Sequence, residues 1–299
     1  MLLLIGKEAF AKHYNVFVDV GAASYGENGG DLALSFIYIA FPANRKTIMA
    51  FEPFKMKYDQ LLEMLQMHKK KYKRDDTSLN YILKNIGVGM SNQTMTFRGK
   101  RSVMTANKRI MLHPWYQGKE VSQIECTTIE LEAQEAKVDN INILKTDTEG
   151  LEWEVLIGSK HLLQEKKIDL IIYAYEDKWT MDSFSASYPY EGTVIKDQST
   201  FDTPNLQSIS TWLHSMGYVS YLIGKSPKEG AGFVAIPVTA EYWDDNFEVA
   251  RDPKAWGIKH PSPTAKHYPT WLDAISVQEN SPLQKWIDKQ SYPFVRVSC

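Results

Sequence analysis

Along this chain, short unbroken apolar runs alternate with stretches of helical spacing, a pattern that predicts βαβ units and a parallel sheet. Val16 to Val20 is the first run, and it gives way at once to a turn with Gly21 at its tip. Leu32 to Ala40 predicts a helix buried on most sides, stopped by Pro42 and Asn44. Thr47 to Phe51 predicts a second strand, closed by Glu52 and Pro53. From Phe54 onward, Tyr58, Leu61, Leu62 and Leu65 recur at the spacing of an amphipathic helix. Tyr81 to Val88 reads as a third strand, Thr94 to Phe97 as another, Ile124 to Thr128 as a short edge strand, and Ile129 to Ala136 as a helix.

The second half continues the alternation. Ile141 to Lys145 predicts a strand, Leu151 to Leu163 a helix, and Ile168 to Tyr173 a further strand. Leu206 to Met216 is a helix stopped by Gly217, as a glycine just past a helix end would do. Tyr218 to Ile223 and Gly232 to Pro237 read as closing, hairpin-related strands. Two stretches, 98–123 and 178–204, show no period; long irregular segments of this kind in α/β domains often shape a substrate site. Past Ala240 the pattern lapses, and Trp243, Trp256, Trp271 and Trp286 lie among prolines and histidines. The expected organisation is one domain over residues 1–239 with a Trp-rich extension over 240–299 packing on it.

Composition narrows the partners. A formal net charge of −2 gives no general pull toward nucleic acid or anionic membrane. The run His68 to Arg74 is the one basic cluster, and cations in the last turns of a helix complement its dipole, so it reads as a solvated helix end. No nucleic-acid partner is expected. Cys126 and Cys299 are the only two cysteines, too few for a disulfide framework or a cysteine zinc site, and a reducing, cytoplasmic setting follows. Met1 to Ile5 is too short for a signal-peptide core, and Leu32 to Phe41 falls well short of a membrane span.

Candidate chemistry gathers where the strands end. Asp19 ends the first, Glu52 the second, Asn85 lies in the third, Asp147 follows the fourth, and Glu176 the fifth. In a doubly wound sheet these carboxyl ends share one edge, so the polar groups converge on one crevice. Gly21 and Ala22 leave the first turn uncluttered, and the helix that follows offers free N–H groups to an anion. An acid ending the second strand stands where ribose hydroxyls are usually bound. The spacing departs from Gly-x-Gly-x-x-Gly, which argues against a nicotinamide or flavin dinucleotide and against an oxidoreductase. Singly, each acid has a plainer role as a cap for the next helix.

These stretches together resemble the FkbM-type methyltransferases. Asp19-Val-Gly-Ala22, Phe51-Glu-Pro53 and Asn85-Ile-Gly-Val88 look like that family's cofactor motifs. Thr127-Thr-Ile, a spacer, Ile143-Leu-Lys-Thr-Asp-Thr-Glu-Gly-Leu-Glu152 and Val155-Leu-Ile-Gly158 resemble its most specific segment. The resemblance runs from Val16 to Pro237. It implies a class I, Rossmann-like doubly wound sheet of seven mixed strands, the last antiparallel. It also implies S-adenosylmethionine-dependent methyl transfer to a hydroxyl of a small molecule or glycan. Asp19, Gly21, Ala22 and Gly26 would border the methionine and ribose, Glu52 would hold the ribose hydroxyls, and Pro53, Phe54 and Ile86 would flank the adenine, with Asn85 in the same motif. Asp147 would face the methyl and the acceptor as its base, with Glu149 and His113 as alternates. Asp147, Glu149 and Glu176 offer oxygen ligands, yet no divalent metal is expected. Two departures stand out: Ala23-Ser-Tyr-Gly26 replaces the family's usual Asn-x-Gly, and Ile129-Glu130 its Leu-Asp. The first leaves a rival reading, a binding protein of the same fold in which Tyr25 fills the cofactor space.

Overall fold

The structure, a computed structural model, describes residues 14–22, 45–72, 79–98, 104–106, 121–148, 151–175, 206–225, 233–239, 242 and 272–290. The expected helix over 32–40 lies outside these, as do most of the two irregular stretches. Among the described residues no helix is long and apolar enough to cross a membrane.

Strands β1 (Tyr14–Val20), β2 (Arg45–Phe51) and β3 (Leu79–Lys84) are parallel neighbours. The helix α1 (Lys55–Tyr72) lies between β2 and β3 in sequence and buries Leu61 and Leu65 against Ala22 and Ala50. On the other side of β1 come β8 (Ile141–Thr146) and β9 (Ile168–Tyr175), also parallel. Such strands are apolar on both faces because the sheet is covered on both sides. Val16, Val18 and Val20 enter one core cluster and Phe17 the other, as the period of two requires. Each such buried side chain contributes about 1.5–3 kcal/mol of transfer free energy.

The far half of the sheet departs from expectation. Strands β10 (Tyr218–Lys225) and β11 (Phe233–Pro237) do pair as an antiparallel hairpin. However, β12 (Leu272–Gln278) runs between β9 and β10, antiparallel to both. Among the described residues the sheet therefore has eight strands, in the order β11-β10-β12-β9-β8-β1-β2-β3. The expected seven strands are corrected to eight, and residues beyond 240 supply an interior strand, not solely a packed-on arm. Its one serine explains the concealment: Ser276 is fully buried, paired in register with Ser220 of β10, their hydroxyls 2.7 Å apart. A buried hydroxyl is tolerated when bonded, so the strand lacks the apolar run that announces β9. The helix α6 (Pro282–Gln290) then buries Leu283 and Ile287 on this half, and its Asp288 accepts a hydrogen bond from Tyr221 at 2.7 Å.

A second sheet, in the order β4-β7-β5-β6, follows β3. It comprises β4 (Gly87–Val88), β5 (Gln93–Arg98), β6 (Met104–Ala106) and β7 (Val121–Thr127). The expected strand over 81–88 is thus two pieces in different sheets, and the segment expected at an edge pairs on both sides. Asn85 makes the break, its amide donating to the carbonyls of Glu52 and Pro53 at 2.8 and 2.9 Å. Helix α2 (Ile129–Glu135) starts as predicted, with Thr128 Oγ1 accepting from Leu131 N at 3.2 Å as an N-cap. The helix expected over 151–163 divides into α3 (Glu152–Ile157) and α4 (Lys160–Gln164) at Gly158 and Ser159. A side chain at Gly158 would overlap the Gly89 carbonyl, so the chain needs glycine there. Helix α5 (Leu206–Ser215) ends at Gly217, whose φ of 72° is left-handed.

Candidate functional site

Four strand ends meet at one edge of the large sheet, stitched by their backbones. Gly21 and Ala22 both donate to the Phe51 carbonyl, at 3.0 and 3.2 Å. Glu52 N donates to the Lys84 carbonyl at 3.1 Å, and Asp147 N to the Val20 carbonyl at 3.0 Å. The ends of β1, β2, β3 and β8 are thereby held as a unit, which is what a rigid floor for a ligand requires.

Gly21 has a φ of 74°, and a Cβ there would overlap the carbonyl oxygen of Asp147. Its small size serves first to let the β1 turn pass the end of β8. Ala22 is likewise buried, in the cluster with Ala50, Leu61 and Leu65. Asp19 is fully buried and receives the Lys145 ammonium on Oδ1 at 2.9 Å. Asp19 and Lys145 are register partners on β1 and β8, so the pair spans adjacent strands directly.

Glu52 is 2% exposed, and its Oε1 accepts the Phe54 amide at 2.9 Å. Burial pushes its carboxyl up, opposed by the Phe54 amide and the Lys57 charge; Asp19 pushes it further up and Lys145 pulls it down. Asp19, Glu52 and Lys145 therefore form one electrostatic cluster. Pro53 and Phe54 are half-buried, with the Lys57 ammonium 5.7 Å from the Phe54 ring centre. Ile86 is half-buried against the main core, next to Asn85.

Asp147 is half-buried just past β8. The loop it opens is shaped by Glu152, which is fully buried and accepts from Thr148 N at 2.6 Å and Thr148 Oγ1 at 3.1 Å. Asp19, Gly21, Ala22, Glu52, Pro53, Phe54, Asn85, Ile86 and Asp147 thus all lie at this one edge. Gly26, His113, Glu149 and Glu176 lie outside the described residues. Among the described residues, no three His, Cys, Asp or Glu side chains gather as metal ligands would.

Lys145 and Glu152 lie at the same edge, and the sequence reading places neither among the candidate site residues. Lys145 carries a legible signal, the one cation in the mostly apolar strand Ile141–Thr146.

The family model of the methyltransferase FkbM domain matches residues 19–220. Among solved structures, the methyltransferase FkbM of Methylobacillus flagellatus KT matches with a TM-score of 0.34 and 20% identity, over 55% of this chain and 33% of that one. No curated protein matches the chain.

Proposed function

The chain belongs to the FkbM methyltransferase family, and on that premise we propose that it transfers a methyl group from S-adenosylmethionine to a hydroxyl of a small molecule or glycan. The observation that carries this reading is the buried Glu52 carboxylate at the end of β2, flanked by the Gly21 turn and the Asp19–Lys145 pair. The residues fit the donor. A carboxylate in that position accepts from two vicinal hydroxyls, and Pro53, Phe54 and Ile86 offer apolar area for adenine. Asp19 and the turn at Gly21 and Ala22 border the methionine part. Bound there, S-adenosylmethionine supplies a methyl already activated by its sulfonium.

What remains for the protein is to hold the acceptor oxygen in line and keep water out. An alcohol loses its proton as it attacks, and Asp147 is the base in this reading. Glu149 and His113 stand behind it as alternates. No divalent metal is assigned. A cytoplasmic location is part of the same reading and rests on the sparse cysteines.

Calorimetric titration with S-adenosylhomocysteine tests it. Micromolar binding is expected for the wild type, lost in Glu52→Ala, with Asp147→Asn retaining affinity but losing most turnover once an acceptor is in hand. A folded wild-type protein that does not bind overturns the reading.

A further inference from the structure

Strand β8 carries one residue that its surroundings do not call for. Every other position of Ile141–Thr146 is buried, and Lys145 alone is half-buried, in a row with the apolar Ile143. Its position is explained from the opposite strand. Asp19 is fully buried, and an isolated buried carboxylate is too costly to persist unpaired. Lys145 takes Oδ1 at 2.9 Å. Oδ2, equally buried, has no hydrogen-bond partner among the described residues. A buried acceptor left bare costs about 1–3 kcal/mol, so a bare Oδ2 calls for an explanation.

The charges around Asp19 come from three directions. Lys145 faces it from β8, Glu52 from the end of β2, and Lys57 acts on Glu52 from α1. The bonded ammonium occupies Oδ1 alone, so Oδ2 is the atom of this cluster left to accept from a donor on the ligand.

We propose that Lys145 is a positioning residue of the donor site: its bond to Oδ1 fixes the Asp19 carboxylate and leaves Oδ2 to accept from the ammonium of the donor's amino-acid part. The inference rests on the S-adenosylmethionine reading above. It divides the site in two. Glu52 recognises the adenosine half, and Asp19 held by Lys145 recognises the amino-acid half.

Two ligands separate the halves: S-adenosylhomocysteine, which has both, and 5′-methylthioadenosine, which lacks the amino-acid group. Lys145→Met is expected to weaken S-adenosylhomocysteine about tenfold or more, the worth of a charge-assisted bond, and to leave 5′-methylthioadenosine within about twofold. Lys145→Arg is expected to restore most of the loss. Should Lys145→Met fail to fold, Lys145→Gln, which keeps a neutral donor of similar length beside Asp19 and removes the charge, carries the same comparison. Equal weakening of both ligands, or undiminished S-adenosylhomocysteine affinity, overturns the role of Lys145. A wild-type protein that binds neither ligand overturns the donor reading itself, and this proposal with it.

Discussion

Burial raises the Glu52 carboxyl above its ordinary value of 4.5, against the Phe54 amide and the Lys57 charge that favour the anion. The folded state therefore holds this proton to higher pH than the unfolded chain, and stability falls as pH rises from about 4.5 through the folded value. Glu52→Gln keeps an oxygen for the Phe54 amide and removes the buried charge. It is expected to be more stable than the wild type in urea at neutral pH, with the gap closing in acid below the ordinary glutamate range. The same variant is expected to bind the donor more weakly, because a site residue is one whose loss helps folding and harms binding. Gly21 works the other way. Gly21→Ala would combine a left-handed backbone with an overlap on the Asp147 carbonyl, and a loss of about 2 kcal/mol or more is expected from denaturant unfolding. Because that overlap displaces the end of β8, the donor affinity should fall with it.

At the scale of elements, the loop between β8 and α3 depends on one internal contact. Glu152 reaches back four residues to the Thr148 amide and hydroxyl, so the turn carrying Asp147 is shaped from below. Glu152→Ala leaves that amide without this acceptor, and a destabilisation of about 1–3 kcal/mol is expected. Hydrogen exchange is the sharper readout: the Thr148 amide should lose protection well before the strand amides of β8 and β9 do. Unchanged protection at Thr148 would show that the loop is held by other contacts. The break between β3 and β4 is set in the same local way, by the Asn85 amide bonded to the Glu52 and Pro53 carbonyls.

For the molecule as a whole, the decisive feature is that β12 closes the sheet from far along the chain. It bonds β9 on one side and β10 on the other. A chain ending at Thr239 loses this strand and α6 together, opening two unpaired strand edges in the middle of the sheet. Such a chain is expected to show no cooperative thermal transition and to aggregate, judged by circular dichroism and size-exclusion chromatography. A soluble truncated chain with an intact transition would show instead that β9 and β10 close without β12. The expected boundary at residues 239 and 240 therefore does not divide the sheet.

The parallel half of this protein was legible from its sequence because it is made of local signals. Val16–Val20, Thr47–Phe51, Ile141–Lys145 and Ile168–Tyr173 are largely buried on both faces and so mostly apolar, and Asp19, Glu52 and Asp147 end them visibly. One sheet edge then brings those ends together by topology alone. What required the tertiary structure was pairing between distant segments. Ser276 is compatible with an interior strand only because Ser220 stands opposite it, 56 residues away in sequence. Lys145 makes sense in β8 only because Asp19, 126 residues earlier, is its register partner. A hydrogen bond or ion pair across strands leaves no periodicity in either one, so its two halves read as separate anomalies until the fold sets them side by side.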